Sequence, residues 1–200
     1  MKKIFLLLGL LLLCTSCKKE VICHIDLKTL KSNDSIIAKV KSEKHFVQLL
    51  NKLKEPELEN LNRETYRFLI LSSFGNYKTY RINENADNYS ITAKNYVKYF
   101  EDTISYKEIV INRLVKKSET AISETQWLEI KSLIDKIDFW ELPVNTNERY
   151  LDGTAYVIEG YSHEKNACTQ RNYHITSRIS VSDSTIYKSI FIKLSKFTEN

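Results

Sequence analysis

Apolar residues recur along this chain at two spacings, and each change of spacing marks a change of element. From Ser42, Phe46, Leu49, Leu50 and Leu53 fall three and four apart, with Lys44, Gln48 and Lys52 on the other side. That period predicts an amphipathic helix, which Pro56 ends. Tyr66 to Ser73 reads as a buried strand. Gly75-Asn76 then turns the chain into Tyr77–Asn83, where Lys78, Tyr80 and Ile82 alternate with Tyr77, Thr79 and Arg81. Glu84 to Asn88 predicts a second turn, and Tyr89–Phe100 and Tyr106–Lys117 two further strands. The first half is therefore expected to be a helix followed by an antiparallel meander.

The second half returns to helical spacing at Ser123, where Gln126 three residues later completes a capping box. Trp127, Ile130, Leu133, Ile134 and Ile137 form the apolar stripe. It runs into Asp138-Phe139-Trp140-Glu141-Leu142-Pro143, an aromatic hinge where Pro143 stops the helix. Trp140 is expected to plug the seam between helix and sheet. A polar loop, Asn145–Tyr150, leads to the turn Asp152-Gly153, and Gly153 is expected to hold a backbone angle closed to other residues. Thr154–Gly160 and Asn172–Ile179 predict a hairpin, and Asp183–Phe197 a closing helix built on Tyr187, Ile190, Phe191, Leu194 and Phe197. The fold class expected is α+β: an antiparallel sheet packed with amphipathic helices, one domain over residues 42–200 with both halves sharing a core.

The first seventeen residues follow neither spacing. Lys2 and Lys3 precede an unbroken apolar run, Ile4–Leu13, and Cys14-Thr15-Ser16-Cys17 closes it. The run is too short to span a bilayer comfortably and has the layout of a secretory signal. Its end resembles the lipobox of bacterial lipoproteins. Thr15 and Ser16 fit the small positions, while Cys14 stands where Leu is usual; Cys14 competes as acceptor, but Leu11-Leu12-Leu13 before it offers no small residue. The resemblance implies cleavage between Ser16 and Cys17 and acyl chains such as palmitate on Cys17. Residues 1–16 are then signal, and 17–41 a lipidated terminus and tether with a short strand at Val21–Leu27. Each buried methylene adds about 0.8 kcal/mol of anchoring. Lys18 rather than Asp after the cysteine implies an outer-membrane address, on the periplasmic face or the cell surface.

Composition narrows the chemistry. The 200 residues carry 30 basic and 25 acidic side chains, a formal net of +5. Clusters such as Lys94 with Lys98, or Lys116-Lys117, are diluted by acids, which argues against a nucleic-acid partner. With Cys14 removed and Cys17 lipidated, Cys23 and Cys168 remain, either as a disulfide or as two unpaired thiols. A bridge would contribute about 5 kcal/mol in the chain-entropy view. His163, Cys168 and His174 lie close in sequence, but a zinc site needs a further ligand, so no metal and no cofactor is expected and the histidines read as surface residues of a hairpin. Among carboxylates, Asp138 suits a helix end, Asp152 a turn, and Glu159 a pair with Arg171 or Arg178; with Glu141 they offer no convincing acid–base pair. No nucleophile elbow, phosphate loop or His-Glu-x-x-His is present. The tyrosines suit sheet and core packing, or a carbohydrate- or peptide-binding face.

Trp127, Asp138–Pro143, Asp152-Gly153, Glu159-Gly160 and Tyr173-His174 with Arg178 and Ser180, followed by the closing helix, together resemble a family of uncharacterised bacterial lipoproteins. The likeness covers residues 119–200. It bears on the fold and brings no activity with it; Trp127, Phe139, Trp140, Pro143, Asp152 and Gly153 are expected to be structural. The function expected is a membrane-anchored envelope lipoprotein, more a binder than an enzyme, whose partner is a protein or a cell-wall glycan, as for an inhibitor or immunity protein. The alternative is an envelope hydrolase with an unrecognised carboxylate site.

Overall fold

The computed structural model describes residues 31, 33–38, 44–61, 63–73, 75–85, 88–100, 110–144, 153–166, 168–169, 171–182 and 184–199. Ser16, Cys17, Cys23, the expected strand Val21–Leu27, the loop Asn145–Tyr150 and Asp152 lie outside them.

Six strands form one antiparallel sheet: β1 Thr65–Ser72, β2 Tyr77–Asn85, β3 Asn88–Phe100, β4 Val110–Ile122, β5 Thr154–Tyr161 and β6 Tyr173–Ile179. Their order is β4-β3-β2-β1-β5-β6. The first four make the expected meander, and the β5–β6 hairpin joins its open side by pairing β5 with β1, Thr65 opposite Tyr161 and Ser72 opposite Thr154. β1 is thereby central, which explains why it reads as a nearly continuous apolar run.

Helices cover both faces. On one lie α3 (Glu124–Lys136) and α4 (Ile186–Thr198), whose Ile130, Ile134, Ile190, Phe191 and Leu194 pack on Tyr66, Phe68, Tyr80, Ile82, Ile91 and Ile158. Ser123 caps α3 with the expected reciprocal box, and Thr185 accepts from the Lys188 amide at the start of α4. On the other face lie the helical residues 33–38 (α1) and α2 (Lys44–Lys52), with a 3-10 turn at Leu58–Leu61. Ile37, Leu50, Leu53 and Leu58 pack there on Leu69, Val157 and Ile175. Sequence alternation found the strands because odd and even positions face these two layers.

Two departures have physical causes. β4 was expected to stop at Lys117 but runs to Ile122, because pairing with β3 carries it on: Thr120 lies opposite Ile91, and Ile122, which is buried, opposite Tyr89. Polar composition there reflects a strand at the sheet edge, not a loop. α1 was not expected at all; it is too short for its period to show, and it is fixed by tertiary bonds, Asn33 Nδ2 to the Leu142 carbonyl at 3.1 Å and Asp34 to Arg171.

The aromatic hinge closes α3 as expected, with Asp138 in the left-handed region at φ 50° and a 3-10 turn over Phe139–Glu141. The plug, however, is Phe139. It is fully buried, 5.8 Å from the Tyr66 ring, whereas Trp140 is half-buried at its side. Gly160 makes the approach feasible: a Cβ there would stand 2.7 Å from Phe139 and 2.8 Å from Tyr66.

Candidate functional site

The α2 face of the sheet carries an ionic row where sequence alternation calls for apolar residues. Arg67, Arg81 and Lys94 project from β1, β2 and β3 on one face, with Arg67 directly opposite Arg81. Three neighbouring cations would repel one another without counter-charge. The segment after α2 supplies it. Glu55 lies 2.6 Å from Lys94 Nζ, 3.1 Å from Arg81 and 3.9 Å from Arg67, and accepts from Thr79 Oγ1 at 3.2 Å. Carbonyls add to it: Lys54 O accepts from Lys94 at 2.8 Å and Pro56 O from Arg67 at 2.6 Å. These carbonyls lie just past the C-terminus of α2, where the helix dipole favours cations.

Glu159 of β5 completes the row, accepting from Arg67 Nε at 2.6 Å and from the Tyr173 hydroxyl at 2.8 Å. This corrects the expected pairing of Glu159 with Arg171 or Arg178. Its partner comes from the neighbouring strand on the other side, since Arg67 and Glu159 are register mates across β1 and β5. Burial opposes the Arg67 charge, but Glu159 and Glu55 outweigh it and raise the guanidinium above its ordinary value. Burial, and then the Glu159 charge, push the Tyr173 hydroxyl far up, so it stays a donor. Both glutamates are thus committed to cations and offer no free oxygen to a substrate. The signal for this network was in the sequence: an arginine inside a strand otherwise reading as buried must have a partner.

His174 also departs from expectation. It is wholly buried rather than on the hairpin surface, while His163 is exposed, edge-on to Tyr161 at 5.9 Å. The ring lies 5.0 Å from Phe139, and its Nε2 is 3.0 Å from the Leu142 carbonyl. A carbonyl only accepts, so Nε2 carries the proton. Nδ1 has no hydrogen-bond partner among the described residues. Burial, helped by Arg171, lowers its pKa from 6.5 to about 3. His163, Cys168 and His174 are not brought together, and no metal-holding group of three ligands occurs among the described residues.

Cys168 is disulfide-bonded. The other three cysteines of the chain, Cys14, Cys17 and Cys23, lie outside the described residues. Of the remaining expected residues, Trp127 is core, stacked on Tyr89 at 5.7 Å. The Pro143 carbonyl accepts from Thr176 Oγ1 at 2.9 Å and Arg178 at 3.1 Å, so the segment after the hinge covers the outer side of β6. Gly153 has φ +151°, and a Cβ on it would stand 2.5 Å from Ser180 Oγ.

The opposite edge of the sheet is different. No strand pairs with the outer side of β4 among the described residues. β2 ends its pairing with β3 at Tyr77–Tyr96, but β3 and β4 continue together from Val97–Arg113 to Phe100–Val110. The result is a two-stranded arm of about 13 Å beyond the sheet. A bulge at the base of the arm leaves Val115 without a register mate, between Lys116 opposite Asn95 and Leu114 opposite Tyr96. Val115 is 62 % and Leu114 40 % exposed, beside Arg113, Lys116 and Lys117, all exposed. Val97, Arg113, Leu114 and Val115 line an open hollow of about 680 Å³. Neither apolar residue stands out in the sequence as a contact, because alternation alone places both within a strand that looks buried.

No helix among the described residues is long and apolar enough to cross a membrane. No protein-family model matches the chain, and neither a curated protein nor a solved structure matches it.

Proposed function

We propose that the chain is a lipid-anchored envelope lipoprotein whose domain binds a partner protein without catalysis, in the manner of an inhibitor or immunity protein. The lipidated residue is Cys17, and the address is the outer membrane. The observation that carries the binding role is the β4 edge, which no strand among the described residues pairs, with Leu114 and Val115 exposed on it. An edge strand offers a row of backbone donors and acceptors, and natural proteins otherwise hide or blunt such edges. An extended segment of a partner can add to it as a further strand, seating apolar side chains against Leu114 and Val115. Arg113, Lys116 and Lys117 favour an acidic segment. A glycan fits less well: Tyr66, Tyr80, Tyr96, Tyr156, Tyr161, Tyr173 and Tyr187 are all buried, which removes them from any stacking platform.

The hydrolase alternative draws on Glu64 and Asp135. Burial raises the Asp135 carboxyl, Glu64 adding to it against Lys131. Asp135 is nonetheless exposed, and Lys131 holds Glu64 at 3.0 Å.

The test compares wild type with Leu114→Asp and Val115→Asp, each expected to melt like wild type. Partners cross-linked to the wild-type domain in envelope extract should be lost from both variants. Retention of the same partners by both would remove the edge from the binding role. Hydrolysis of a wall or envelope substrate that disappears in Asp135→Asn would favour the alternative. Incorporation of a fatty-acid analogue should vanish in Cys17→Ser; labelling that persists there would sink the anchor.

A further inference from the structure

We infer that the Cys168 disulfide ties the membrane tether to one end of the sheet, so that the domain stands with its β5–β6 loop toward the lipid and its β3–β4 arm away from it. The inference rests on the anchor at Cys17 proposed above. The sheet has two distinct ends. The β5–β6 loop, which contains Cys168, the start of β1 and the turn from β2 to β3 share one end, since Thr65 is opposite both Tyr161 and Asn83. The arm, the turn from β1 to β2 and the start of β5 share the other.

The N-terminal segment is fastened at the first end. Asp34 pairs with Arg171 next to β6, and Asn33, 2 % exposed, donates to the Leu142 carbonyl. The bond from Cys168 reaches the same side, because every other cysteine precedes residue 24. If Cys14 leaves with the signal and the Cys17 sulfur carries lipid in a thioether, only the Cys23 thiol remains to pair.

Lengths then decide the orientation. From Cys17 to Cys23 the chain spans at most about 20 Å, at roughly 3.4 Å per residue. From Cys17 to Asn33 it would span about 55 Å. The long strand β3, with 13 residues, is about 44 Å. A tether released from the bridge is long enough for the domain to turn over and lay its arm on the bilayer. A bridged tether is shorter than the sheet, so the domain cannot turn over to stand on its arm, and the arm is left open to a partner. Reduction of one bond therefore changes which surface the envelope sees.

The experiment uses the full lipoprotein in phospholipid vesicles containing a headgroup-labelled acceptor lipid. A donor fluorophore is placed, by a non-natural residue, at exposed Lys165 or at exposed Arg113. Mass spectrometry first confirms acylated Cys17 and maps the Cys168-linked peptide under non-reducing conditions. Energy transfer should be several-fold greater from position 165 than from 113, and the difference should shrink with reductant or in Cys168→Ser. Equal transfer from both sites in the acylated, bridged wild type overturns the orientation, as does a Cys168-linked peptide lacking Cys23. Absence of acyl on Cys17 overturns the anchor reading, and the orientation with it. The wild-type comparison stands even if Cys168→Ser fails to fold.

Discussion

At the scale of single residues, two buried positions set sharp expectations. His174 is neutral in the folded state down to about pH 3, while in the unfolded chain it takes up a proton near pH 6.5. The unfolded state therefore binds more protons between those limits, and stability is full above pH 6.5 and lost as pH falls toward 3. The loss amounts to about 1.4 kcal/mol per pH unit. His174→Gln keeps a donor for the Leu142 carbonyl and cannot titrate. Urea unfolding between pH 6 and 4 should show a slope smaller by about one proton in this variant; an unchanged slope would mean the imidazole is not the acid-sensitive group. Phe139→Ala should cost about 3–5 kcal/mol as a large core truncation, and half-buried Trp140→Ala less. Gly160→Ala should cost about 1–3 kcal/mol, because its methyl meets two ring edges that have no room to retreat. Thermal melts order these three. The hinge was legible as a motif, yet which of its two aromatic rings enters the core was not. That depends on Gly160, well beyond the hinge and in β5, a closeness that only the folded register reveals.

At the scale of elements, what the sequence shows is periodicity, and periodicity finds elements long enough to repeat. α2, α3, α4 and five of the strands were legible within a few residues at their ends, while α1 and the last turns of β4 owe their form to neighbours. Of the ionic row joining β1, β2, β3 and β5, the sequence signals only that Arg67, inside an apolar strand, needs a partner; that Glu159 lies 92 residues away and Glu55 in the segment after α2 is beyond any local window. Its coupling can be measured. Arg67→Met should cost about 3–5 kcal/mol by leaving Glu159 buried without its cation, whereas Arg67→Met with Glu159→Leu should recover much of that loss. Denaturant midpoints that simply add for the two substitutions would show that the pair does not act as a unit.

At the scale of the whole molecule, limited proteolysis in the polar stretch Ser118–Ser123 should not yield two separately stable fragments, because β5 is zipped along the full length of β1 and α3 and α4 share one face of the sheet. The arrangement also imposes an order in time. Arg67 and Glu159 are 92 residues apart, and a chain delivered N-terminus first has made the whole meander before β5 exists. Closing so long a loop is slow relative to forming hairpins. During that interval β1 has one side unpaired and an arginine with no mate on β5. The early meander therefore remains an open, hydrated precursor, and burial of its central strand waits for the C-terminal hairpin. The fold is complete only when the end of the chain has been delivered.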